Sequence, residues 1–139
     1  MHLLDTNILT ALHNAHPKVL QAIAKVDDPI VATTIVTKAE MLRGRIEYLL
    51  KADQPEMLLL AQTRYTETDR LLQEIQIIPF DTKAIEHFKL LNQQSAFRKV
   101  GRADLLIASI ALANRATLVT RNLKDFKFIP TLKLVNWFD

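Results

Sequence analysis

The chain has 139 residues, 49% of them hydrophobic and 24% charged, which suits one globular domain over residues 1–139 with a core of its own. It contains no cysteine, so a disulfide scaffold, a thiolate metal site and a cysteine nucleophile are excluded. Its two glycines are too few for a GxxxxGK or GxGxxG phosphate loop, and a net charge of +3 permits a polyanionic partner without requiring one.

No apolar run approaches the ~20 residues that span a bilayer. Met1-His2-Leu3-Leu4-Asp5 lacks a basic stretch followed by an apolar one, so no export leader is expected and the expected location is the cytoplasm. Leu3-Leu4 is a short apolar strand that stops at Asp5-Thr6-Asn7, a turn or N-cap cluster. Val19, Leu20, Ile23 and Ala24 have helical spacing, and Asp27-Asp28-Pro29 ends that segment. Ile30-Val31-Ala32 reads as a buried strand. From Thr34 the pattern is helical, with Leu42, Ile46, Leu49 and Leu50 on one face, until Gln54-Pro55 interrupts it. A second long helix places Leu58, Ala61, Tyr65, Leu72 and Ile75 on its inner stripe. Ile77-Ile78-Pro79-Phe80 is the third strand, and Asp81-Thr82 caps a helix that turns Ile85, Phe88 and Leu91 inward. Gly101-Arg102-Ala103-Asp104 opens a helix that is apolar nearly all round and is expected between the sheet and another layer. Ala116–Val119 and Leu132–Val135 are the last two strands. Strands alternating with helices predict a three-layer α/β/α domain: a mostly parallel sheet of about five strands with helices on both faces.

Ligands of such sheets bind beyond the carboxyl ends of the strands. Asp5 follows the first strand, Glu40 lies early in the helix after the second, Asp104 opens the helix before the fourth, and Asn122 and Asp125 follow the fourth. Each has a local reading. Asp5 can cap a helix, Thr37-Lys38-Ala39-Glu40 fits a capping box, Asp104 can answer a helix dipole, and Asp125 can be a surface turn residue. The apolar flanks of Asp5 and Asp104 suggest part-buried carboxylates, which repel unless a cation sits between them. Oxygen ligands without histidine or cysteine select Mg²⁺ or Mn²⁺ and suit metal-assisted phosphodiester hydrolysis.

Four segments carry a resemblance: Leu3-Leu4-Asp5-Thr6-Asn7, Thr37 to Gly44, Gly101 to Ala108, and Ala116 to Phe126. In this order and spacing they resemble the PIN-domain ribonucleases. The closing Leu134-Val135-Asn136-Trp137 is similar to the end of VapC-type toxins of type II toxin–antitoxin pairs. The resemblance implies a sheet in the order 3-2-1-4-5, a Mg²⁺- or Mn²⁺-dependent endoribonuclease, a cognate VapB-like antitoxin and a homodimer. By position it implies Asp5, Glu40 and Asp104 as the acidic ligands, with Asp5 and Asp104 holding the metal and Glu40 orienting or deprotonating water. The fourth acidic position falls on Asn122, with Asp125 as its alternative, and Thr120 matches a small hydroxyl residue near the metal. Thr6, Asn7, Arg43, Arg102 and Arg121 stand near the site.

Arg43, Arg45, Arg98, Lys99, Arg102, Arg121, Lys124 and Lys127 lie at the motif edges, where they can grip RNA phosphates. Tyr48, Tyr65 and Trp137 are the aromatic options for base stacking, each more in keeping with core or interface. His2, His13, His16 and His87 lack metal-ligand spacing, and His13 and His16 are expected at the surface. The Leu-rich stretch Leu42 to Leu60 is apolar beyond what packing within the chain needs, and the resemblance assigns it to the homodimer with a groove for the antitoxin beside it. A haloacid-dehalogenase-type phosphatase also opens with an Asp after its first strand, but it needs an acid where Asn7 stands. A non-catalytic PIN-like module that binds RNA or a partner is the alternative that remains.

Overall fold

The computed structural model describes residues 1–97 and 99–139, so Arg98 lies outside the described residues. Its five strands are β1 (His2–Leu4), β2 (Val31–Thr34), β3 (Gln76–Ile78), β4 (Thr117–Val119) and β5 (Lys133–Val135). Between them run α1 (Thr6–His13), α2 (Pro17–Lys25), α3 (Ile35–Lys51), α4 (Pro55–Glu74), α5 (Thr82–Gln93), α6 (Arg102–Ala113) and α7 (Leu123–Phe126). Every strand pair is parallel and the order is β3-β2-β1-β4-β5, as the resemblance implied.

The sheet is buried on both faces because its side chains alternate. Leu3, Ala32, Ile78 and Leu118 enter a core shared with α5, α6 and α7. Leu4 and Val119, one residue on, enter a second core with Ile8 and Leu9 of α1, Val19 of α2, Met41 of α3 and Leu72 of α4. Helix α6 buries Leu105, Ile107, Ala108, Ser109, Ile110 and Ala111, in keeping with its all-round apolar sequence. Truncating one of the fully buried leucines, such as Leu4, costs about 2–5 kcal/mol through lost burial and the cavity left behind.

Caps explain where the helices begin. Asp5 accepts from the Thr6 amide, Thr34 Oγ1 from the Thr37 amide, and Asp81 Oδ1 from the Ala84 amide. Pro17 and Pro55 open α2 and α4, where the missing N–H leaves nothing unpaired. The capping box expected over Thr37–Glu40 is therefore one turn out of place. The buried Thr34 is the cap, and Glu40 stands free of that role in the second turn of α3. Of the two readings of Asp5-Thr6-Asn7, turn or N-cap, the N-cap holds, since Asp5 caps α1. With eight residues this helix falls short of the window over which periodicity is read. The inward face of α5 is also rotated from expectation. Ala84 and Leu91 are buried, whereas Ile85 is 38% exposed.

A polar tie fastens the first strand. Asp28 Oδ2 lies 2.7 Å from the Met1 ammonium and 2.6 Å from His2 Nδ1, while its Oδ1 accepts from the Ile30 amide at 3.0 Å. The bond to the ammonium, with those from Ile30 and His2, holds the Asp28 carboxyl well below its ordinary range. Among the described residues no helix is long and apolar enough to cross a membrane.

Candidate active site

With every strand parallel, all the carboxyl ends share one edge. The chain leaves β1 to opposite sides, toward β2 and toward β4, so the switch point of the topology falls between β1 and β4. Backbone register sets Asp5 beside Thr120 there: Leu4 pairs with Val119, the Asp5 amide donates to the Val119 carbonyl at 3.0 Å, and the Thr120 amide donates to Val135 at 3.0 Å. The fully buried Thr120 hydroxyl donates to Asp5 Oδ2 at 2.9 Å, joining residues 115 apart in sequence. Asp5 Oδ1 takes the Thr6 amide at 2.8 Å. Asp5 is thus both a helix cap and an oriented carboxylate, with lone pairs left on each oxygen.

Three more carboxylates face this point. Asp104, in the first turn of α6, has its carboxyl pushed up to about 6 by burial first, then by the charges of Asp5, Asp125 and Glu40. Glu40 is raised as well, by burial and then by Asp5, with Arg43 opposing. Asp5 therefore acts on both Asp104 and Glu40, and Asp104 also feels Asp125 and Glu40, so the four carboxylates lie close enough to interact. The Asn122 side-chain amide donates to Asp125 Oδ2, and its backbone amide donates to Thr120 Oγ1 at 3.0 Å. Asn122 therefore links Thr120 to Asp125.

The donor set is oxygen only. Among the described residues no three acidic or histidine side chains close tightly enough to enclose an ion by themselves. Oxygen-only donors of this kind are the ligand type that Mg²⁺ and Mn²⁺ accept.

Around the acidic edge the remaining residues divide. Thr6 is half-buried, while Asn7, Arg43, Arg102 and Arg121 are exposed. Arg102 stands 5.7 Å from the Phe88 ring centroid and Arg121 4.3 Å from that of Phe138. A groove of about 370 Å³ runs from Glu40 between α1 and the α3–α4 pair, past Thr6, Gly44, Tyr48 and Arg64. Arg64 was not singled out in the sequence. Its signal is positional, since it shares a helix face with the buried Ala61 and Thr68. Trp137 is buried, as its core reading required, and Tyr48 and Tyr65 are half-buried. His16 departs from its surface expectation: it is half-buried, and its Nδ1 is enclosed without a hydrogen-bond partner. A larger cavity of about 720 Å³, lined by Lys83, His87, Arg115 and Lys133 among others, contains none of these carboxylates.

Fold and site together define a doubly wound α/β domain with an acidic switch-point edge. A family model for the PIN domain matches residues 2–130. The chain is 34% identical over 143 aligned residues to ribonuclease VapC2 of Rickettsia felis, covering 99% of this chain and 98% of that protein. It superposes with a TM-score of 0.78 and 30% identity, over 98% of both chains, on a chain from the crystal structure of VapBC2 from Rickettsia felis bound to a DNA fragment from their promoter. A chain of a toxin–antitoxin complex from Klebsiella pneumoniae gives a TM-score of 0.70 at 27% identity, over 100% of this chain and 99% of that one. The chain belongs to the PIN-domain family and, within it, to the VapC ribonucleases.

Proposed function

We propose that this chain is a divalent-metal-dependent endoribonuclease and acts in the cytoplasm as the toxin of a VapBC-like toxin–antitoxin pair. The observation that carries the reading is the gathering of Asp5, Glu40, Asp104 and Asp125 at one edge, where burial first and then the charges of the other three push the Asp104 carboxyl up to about 6. A cluster of like charges at a strand edge is poor design for stability alone and good design for gripping a cation. The names and assemblies of the relatives supply the RNA substrate and the antitoxin.

In this reading Asp5 and Asp104 hold Mg²⁺ or Mn²⁺. Bound there, the ion would neutralise charge on the scissile phosphate and lower the pKa of water. Thr120 fixes the direction of Asp5 Oδ2 through its hydroxyl. Glu40, its carboxyl raised by burial and by Asp5, would take the proton from the attacking water. Asp125 fills the fourth acidic place, with Asn122 holding it by its side-chain amide, so the uncharged Asn122 supports a ligand without being one. Arg43 tempers the charge of Glu40 from the rim.

The outer edge of the α3–α4 pair is assigned to a homodimer, and the antitoxin to the groove beside it that passes Glu40, Tyr48 and Arg64. On the outer edge Leu50 is 79% exposed and Leu59 68%, and Ile46, Met57, Leu58 and Leu60 are exposed beside them. Exposed apolar side chains grouped on one helix pair point to a partner site. The test is cleavage of a single-stranded RNA by antitoxin-free protein during Mg²⁺ and Mn²⁺ titration. Turnover should require the metal and fall by at least about 100-fold in Asp5→Asn and in Asp104→Asn. Metal-independent turnover, or none in the wild type, would overturn the reading and favour an inert binding module.

A further inference from the structure

Beside the acidic edge lies a shallow depression of about 430 Å³, lined by Asn7, Thr10, Asn14, His16, Arg121 and Phe138 with small apolar residues of α1 and the following turn between them. Its volume falls within the range of ligand pockets, roughly 300–1,000 Å³. Chain connectivity ties it to the carboxylates: Asn7 is two residues beyond Asp5, and Arg121 directly follows Thr120.

The wall of this depression is built. Trp137 is buried, and the Phe138 amide donates to Asn136 Oδ1 at 2.9 Å, so the closing turn sets Phe138 against the α1–α2 junction. The His16 ring meets Phe138 edge-on, with centroids 4.8 Å apart. On Phe138 rests the Arg121 guanidinium, 4.3 Å from the ring centroid, and among the described residues no carboxylate pairs with it. An arginine held against an aromatic face by a cation–π contact keeps its N–H donors available to a ligand. The depression therefore offers a preset cation, the amides of Asn7 and Asn14, and no acid.

We propose that this depression is a subsite for one nucleotide of single-stranded RNA next to the scissile phosphate, with Arg121 clasping its phosphate and Asn7 and Asn14 hydrogen-bonding its sugar or base. This rests on the ribonuclease reading for its place in catalysis, but its binding chemistry is separable. Arginine planes and side-chain amides are the groups that grip unpaired nucleotides.

Two measurements test it. The first is binding of a short fluorescein-labelled single-stranded RNA to the metal-free protein in EDTA, by anisotropy across a salt series and by backbone amide shifts. The Asn7 and Asn14 amides should shift in the wild type. Arg121→Ala should weaken binding about tenfold and reduce the salt slope by ~0.7, one phosphate contact on a single strand. Arg121→Lys should keep the slope while losing part of the affinity. Phe138→Leu, which keeps the apolar packing but removes the π face, should weaken binding about threefold. The second is cleavage with Mn²⁺, where Arg121→Ala should raise KM about tenfold and leave kcat within about twofold. Unchanged affinity and salt slope in Arg121→Ala, or silent Asn7 and Asn14 amides, would overturn the subsite even if cleavage is robust. RNA held in the depression without any metal-dependent turnover would instead sink the ribonuclease reading and leave the subsite standing.

Discussion

Asp104 enters the folded state with its carboxyl pushed up to about 6 from 3.8. A carboxyl raised on folding makes its full contribution below the unfolded value, and that contribution is lost as the pH rises through the folded one. At neutral pH the metal-free protein therefore carries a repulsion that protonation would relieve. Asp104→Asn should raise its stability at neutral pH by about 1 kcal/mol once solvent screening of this half-exposed group is allowed for, and the gain should vanish below pH 3.8. Thermal melts of both proteins across that range check it. Saturating Mg²⁺ should raise the melt of the wild type and not that of the variant. Thr120 is the opposite kind of residue, buried and fully engaged. Thr120→Val leaves the Asn122 amide without its partner and Asp5 without its orienting donor. We expect a loss of about 1–2 kcal/mol in denaturant melts and a fall in cleavage of about tenfold, with Thr120→Ser close to wild type in both.

At the scale of elements, a chain with two glycines has to close its helices with other residues. Helix α6 ends with Arg115 at φ 52°, as the Arg115 amide donates to Leu112 and the Ala116 amide to Ala111. Helix α1 ends in the same way with Ala15 at φ 55°. A side chain in this left-handed region costs about 1–2 kcal/mol, part of which glycine returns to the unfolded chain. Arg115→Gly should therefore stabilise the protein by about 0.5–1 kcal/mol in denaturant melts without altering cleavage. The elements that the sequence revealed were those with a long period or a clear boundary. Pro55 separates α3 from α4, and the apolar run of α6 announces a buried helix. Helix α1 was hidden by its length, and α7 is a single turn. The start of α3 was misplaced because Thr34 and Thr37 are both good caps. Burial of Thr34 at the end of β2, where Thr33 also donates to the Leu4 carbonyl, decides between them.

For the whole molecule, the net charge of +3 conceals a division. Four carboxylates gather at one edge of the sheet, while exposed arginines and lysines surround it. RNA capture should weaken steeply with salt even though the cut itself is made in an acidic site, and the salt series of the binding assay measures this. The α3–α4 pair serves a different purpose, since Leu50 and Leu59 on its outer side are mostly exposed. Leu59→Asp should leave the fold intact and shift the protein from dimer to monomer. Sedimentation of the antitoxin-free protein provides the readout.

Residue order alone determined the alternation of strand and helix, the parallel sheet and the oxygen-only chemistry, because periodicity, boundary residues and the absence of cysteine are local properties. The motif resemblance, also legible in the chain, pointed to Asp5, Glu40 and Asp104. Only the tertiary structure decided that Asp125 joins the acidic field with Asn122 bonded to it, that Thr120 aims Asp5, and that Arg121 lies on Phe138. Those are contacts between segments up to 115 residues apart. They follow from strand register and from the way the C-terminal turn closes over α1, and neither leaves a trace in local spacing.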